Sequence, residues 1–75
     1  MAKVTMTNAT RWNRQATDYI RARIHTNAEC EALADYLHMS VDSVRKRNQG
    51  NVPWRFEEMM NALEFYGTEP AEVLR

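Results

Sequence analysis

The chain has one cysteine, two glycines and two prolines among 75 residues, and its formal net charge is zero. A single cysteine, Cys30, excludes an internal disulfide and reads as core filler. The two histidines, His25 and His38, stand too far apart for a zinc pattern. No stretch approaches the roughly 18 consecutive apolar residues of a membrane span, and the N-terminus lacks the apolar run of a signal peptide. A cytoplasmic protein with no membrane partner is expected. Catalytic sets with supporting spacing are missing too: there is no Ser-His-Asp, Cys-His or paired-carboxylate arrangement and no glycine-rich phosphate loop. We therefore expect no enzyme, no cofactor, no metal and no small-molecule ligand.

What the chain does have is 44% apolar residues, with helix-favouring Ala, Leu, Met, Glu and Arg prominent. That composition excludes a disordered chain and predicts one small all-α domain with a dense core. Residues 1 to 8 alternate at Val4 and Met6, which fits a short strand or a loose arm, and the arm is the preferred reading. From about Ala9 the period changes. Trp12, Ala16, Tyr19, Ile20 and Ile24 form a helical stripe, with Asn8 or Thr10 able to cap its start. Trp12 and Tyr19 would suit base stacking, but on that stripe they read as core. Thr26 and Glu29 then form a Thr-x-x-Glu capping box that opens a second helix.

The stretch from Cys30 to Gly50 organises the rest. Cys30, Leu33, Ala34 and Leu37 share one helical face, a break follows at His38 and Met39, and Ser40 is placed to cap another helix with Val44 pointing inward. Ala34 is small where two helices crossing at about 90 to 120° need close approach. This pattern looks like a helix-turn-helix. Gly50 suits the left-handed residue that ends a helix. Pro53 is expected to start the next one, whose apolar face is Phe56, Met59, Met60, Leu63 and Tyr66. Gly67 stops it, and Thr68 can cap a last short helix with Pro70 in its first turn.

Neutrality is the sum of segregated parts. Residues 1 to 25 carry a local charge of +4 and Arg45 to Arg55 another +4, whereas Glu29 to Asp42 contributes −4 and Glu57 to Glu72 contributes −5. A polarised surface is expected. The plainer reading of each run is a solvated face, and for Arg45, Lys46 and Arg47 a basic helix end favoured by its own dipole.

The order and spacing of Leu33, Ala34, Leu37, Met39, Ser40, Val44 and Gly50 resemble the helix-turn-helix of the Cro and phage-repressor family. The likeness continues through Val52-Pro53, Phe56 to Leu63, Gly67 and Pro70 to Leu74, about residues 12 to 74 in all. It implies a compact four- or five-helix, lambda-repressor-like domain over residues 9–75, with the motif at about 30–50. Three positions depart from the family pattern: His38 stands for a turn glycine that commonly needs positive φ, Cys30 for a phosphate-touching Gln, and Arg47 for an aromatic.

The resemblance makes the helix from Val41 to about Asn48 a recognition helix entering the major groove of double-stranded DNA. It puts Val41, Asp42, Arg45 and Lys46 against base edges: Arg45 on guanine O6 and N7, Asp42 on cytosine N4, Val41 on a thymine methyl. Ser40, Ser43, Arg47, Asn48 and Arg55 fall to the phosphates, where Arg47→Ala would weaken binding evenly across sequences. Trp54, Phe65, Tyr66, Val73 and Leu74 exceed what one small core hides, and the family pairs near this end. A homodimer on a roughly palindromic operator is implied. With no room in 75 residues for an effector domain, a small phage or prophage Cro-like repressor is expected, with a protein-binding module (anti-repressor, antitoxin or adaptor) as the alternative.

Overall fold

The computed structural model describes residues 8–75; the expected arm, Val4 and Met6 included, lies outside them. Five helices follow in order: α1 (Asn8–Arg21), α2 (Asn27–Leu37), α3 (Val41–Asn48), α4 (Phe56–Phe65) and α5 (Pro70–Val73). Among the described residues there is no strand, so the fold is all-α. None of these helices is long and apolar enough to cross a membrane.

Local chemistry sets the helix starts. The Thr26 hydroxyl accepts the Glu29 N–H (3.2 Å), while the Glu29 carboxylate accepts the N–H groups of His25 (2.7 Å) and Thr26 (3.0 Å). Those donors, His25 first, hold the Glu29 carboxyl below its ordinary value. Ser40 caps α3 by accepting the Ser43 N–H at 3.1 Å. The ends of α2, α3 and α4 share one device. A left-handed residue turns the chain, and the next N–H bonds a carbonyl five residues back: Met39 to Ala34 (3.0 Å), Asn51 to Lys46 (2.9 Å) and Thr68 to Leu63 (2.9 Å). Gly50 and Gly67 fill two of these turns, and His38, at φ 58°, fills the third.

His38 therefore carries a strain that glycine lacks. A left-handed side chain costs about 1 to 2 kcal/mol, partly offset because glycine loses more freedom on folding. His38→Gly is expected to stabilise the fold by up to about 1 kcal/mol, raising Tm by about 4 to 8 °C at that upper limit. Thermal unfolding followed by circular dichroism checks this, and a lowered Tm would show that His38 makes a compensating contact.

Helix α1 packs on α3, α4 and α5, and α2 packs on α3 and α4. Between them lie Ala16, Ile20, Cys30, Leu33, Ala34, Val44, Trp54, Met59, Ala62 and Leu63, all buried. Trp12, Ile24, Leu37, Met39, Tyr66 and Leu74 close the margin. Ala34 and Val44 are both buried in this core, as their spacing predicts. Arg75 returns to α1, its N–H donating to Gln15 Oε1 at 2.9 Å.

Three expectations are corrected. Pro53 does not start α4; the helix begins at Phe56, because residues 53 to 55 run outside helical structure and carry the Trp54 indole inward. The Asn13 amide holds that segment through the Trp54 carbonyl at 2.7 Å. Phe56, assigned to the buried face, is instead 57% exposed and only flanks Trp12, at a ring separation of 6.4 Å. Thr68 does not cap α5; Glu69 takes the cap position, and the Thr68 hydroxyl pairs with that of Tyr19.

Candidate nucleic-acid interface

Helix α3 is eight residues long and buries one side chain completely, Val44. Its opposite face is polar. Asp42, Arg45 and Lys46 are exposed there, at the i, i+3 and i+4 positions of one helical surface. Val41 is half-buried against the core, which leaves only part of its side chain for a partner.

Each of the three consecutive basic residues has a different internal partner. The Lys46 ammonium lies 3.3 Å from Asp42 in an open ion pair, with side chains 57% and 72% exposed. Such a pair contributes about 0.3 to 0.5 kcal/mol and opens readily. Arg45 donates from Nη2 to the Asn27 side-chain oxygen at 2.6 Å. Arg47 is drawn toward α4, where Nε meets Glu58 Oε1 at 2.9 Å and Nη2 meets Oε2 at 3.4 Å, with both side chains 16% exposed. Its Nη1 also bonds the Ser43 carbonyl at 3.2 Å. Arg47 was expected on a phosphate; the structure places it in a largely covered ion pair joining α3 to α4.

The other backbone candidates divide similarly. The Ser40 hydroxyl accepts one N–H and donates to Ser43 Oγ at 3.0 Å, so Ser40 is spent on the cap while the Ser43 proton stays free to donate outward. Asn48 is half-buried, and its Oδ1 is covered with no partner among the described residues. Arg55 is exposed; its backbone N–H bonds Glu58 Oε1 at 2.9 Å.

Beside Arg45 lies a shallow cleft that also holds Arg21, His25, Asn27 and Cys30. Burial pushes the Cys30 thiol up, so Cys30 behaves as a packed small hydrophobe. Sequence spacing weighs His25 only as a metal ligand and gives no sign that Arg21, His25 and Asn27 line one cleft with Arg45. No local spacing links Asn27 to Arg45, which are 18 residues apart.

The five residues expected at a dimer interface do not form one patch. Trp54 belongs to the core of its own domain, 3% exposed, because the loop before α4 folds inward. Tyr66 is half-buried between Tyr19 and Phe65, and burial raises its hydroxyl pKa. Phe65 stands at 36% exposure against Tyr36, whose hydroxyl donates to Glu64 at 3.0 Å. Val73 and Leu74 are half-buried, and Leu74 joins Phe56, Met60, Pro70 and Ala71 around a separate apolar groove. Phe56, expected on a buried face, is outside, and so is Tyr36.

Among the described residues no group of three or more His, Cys, Asp or Glu side chains is placed to hold a metal ion. The polar face of α3 thus carries Asp42, Arg45 and Lys46, and Arg45 ties it to Asn27 at the start of α2. No family model, curated protein or solved structure matches this chain.

Proposed function

We propose that this protein is a sequence-specific DNA-binding transcriptional regulator, with α2 and α3 as the helix-turn-helix and α3 entering the major groove by its N-terminal part. One observation carries this reading: α3 hides Val44 and turns Asp42, Arg45 and Lys46 outward together, on a helix held at both ends by its own caps. Arg45 reads guanine, and Asp42 and Lys46 meet neighbouring bases once their exposed pair opens. Val41 offers its open edge to a thymine methyl. Ser43 and Arg55 contact phosphates, which set register and affinity without reading sequence.

The protein would act in the cytoplasm of a bacterial cell as a small Cro-like repressor, two copies binding a palindromic operator with α3 helices about one DNA turn apart. Its pairing surface would be the apolar groove at Phe56 and Leu74, Trp54 being internal.

Selection of bound duplexes from a random pool tests the reading. Wild-type protein is expected to enrich a two-fold symmetric site, and binding to it should fall at least about a hundredfold as monovalent salt rises from about 50 to 200 mM. Arg45→Ala should flatten the preference at one base pair per half-site, by about 1 to 3 kcal/mol. An equal loss on every sequence would remove Arg45 from base reading.

A protein-binding module is the second reading. What favours it is that Lys46 and Arg47 already have acidic partners while the aromatic Tyr36, Phe56 and Phe65 stand open. Folded protein that enriches no sequence would select this alternative.

A further inference from the structure

Asn27 is the first residue of α2, yet α2 does not need its amide. The Thr26 hydroxyl and Glu29 carboxylate already satisfy the start of that helix. The Asn27 oxygen points instead across to α3 and accepts the Arg45 Nη2–H at 2.6 Å. We propose that Asn27 is a positioning residue that presents Arg45 to DNA and thereby sets base preference; this rests on the DNA-reading function above.

The chemistry of the partner matters. Asp42 and Glu58 compensate the charges of Lys46 and Arg47, whereas Asn27 is neutral. It fixes the direction of the Arg45 guanidinium and leaves its positive charge intact. Nη2 carries two hydrogens, so one bond to Asn27 leaves a complete two-donor edge of the guanidinium free. Two parallel donors are what guanine O6 and N7 require. Among the described residues nothing else engages that edge. An arginine ordered before binding also loses less freedom when it meets the base, and that gain is realised only where the base matches. Arg21 shares the cleft, so an acid at position 27 would have offset a positive charge that favours phosphates.

The test uses the full chain carrying Asn27→Ala, Asn27→Asp, Arg45→Ala and the Asn27→Ala/Arg45→Ala pair, each first shown to keep the wild-type Tm. Competition binding then compares the selected duplex with one in which the guanine assigned to Arg45 is replaced. Asn27→Ala is expected to lower that preference by about five- to tenfold while binding to unrelated duplexes stays within about twofold. Asn27→Asp, which retains the acceptor, should keep the preference but bind every duplex more weakly because of its charge. The double variant should match Arg45→Ala alone. A merely structural Asn27 would reduce affinity for all duplexes alike and would add to Arg45→Ala. If Arg45→Ala abolishes the preference and Asn27→Ala leaves it intact, this proposal is overturned alone. If the wild-type protein enriches no site, the DNA reading is overturned and this proposal with it.

Discussion

Trp54→Ala is expected to destabilise the domain by about 3 to 5 kcal/mol, enough to unfold most of it at room temperature. Trp54 is 3% exposed and lies among Met59, Val44 and the α1 side chains of the same core. A single core in a chain this small rarely supplies more than roughly 3 to 5 kcal/mol of net stability, so the loss is of the same size as the whole. Urea unfolding followed by far-ultraviolet circular dichroism measures it. The companion substitution makes the result specific. Phe56→Ala, two residues along, removes a ring that is 57% exposed and should cost less than about 1 kcal/mol. If Trp54 instead belonged to a subunit interface, Trp54→Ala would yield a folded monomer with near-normal unfolding, and the placement of the loop before α4 would be wrong. Trp54→Phe should be far milder than the alanine change, because the Trp54 Nε1–H is buried without an acceptor among the described residues and phenylalanine has no such donor.

The second large effect is expected at Glu58, where Glu58→Ala should cost about 2 to 3 kcal/mol. Its carboxylate accepts from Arg47 Nε and from the Arg55 N–H, each at 2.9 Å, so it joins α3 to α4 and caps α4 at once. Removing it leaves the Arg47 guanidinium, only 16% exposed, with no anionic partner. Breaking a fully buried pair costs roughly 3 to 5 kcal/mol, and the partial exposure here reduces that. Glu58→Gln keeps an acceptor for Arg55 and should lose about half as much. Replacing both partners, as in Arg47→Met with Glu58→Met, should recover much of the loss, since no charge is then stranded. A double-mutant cycle by urea unfolding reads the coupling, and coupling below about 0.5 kcal/mol would reduce the pair to an ordinary surface contact. The same pair changes what Arg47→Ala means for DNA binding. An even weakening across sequences is still expected, but through the seating of α3 on α4 more than through a lost phosphate contact.

The helical scaffold was largely legible in the chain because its signals are local. Thr26 and Glu29 are three residues apart, Ser40 caps the N–H three residues on, and the left-handed turns at His38, Gly50 and Gly67 are closed by bonds spanning five residues. Where periodicity misled, it was at element edges. Phe56 fits the stripe of Met59 and Leu63 by spacing alone, but it sits in the first turn of α4 and is exposed, while Trp54, two residues earlier and outside the helix, is buried.

By itself the sequence determined an all-α fold over the described residues, the starts of α2 and α3, the ends of α2, α3 and α4, and the inward faces of Ala16, Ile20, Leu33, Ala34, Val44 and Leu63. Helical spacing and caps are properties of neighbours in the chain. Only the tertiary structure decided that Arg45 leans on Asn27 across 18 residues, that Arg47 turns to Glu58 across 11, and that Asn13 pins the Trp54 segment across 41. A long cationic side chain on a helix surface has several acceptors within reach, and which one it takes depends on where the other helices come to rest.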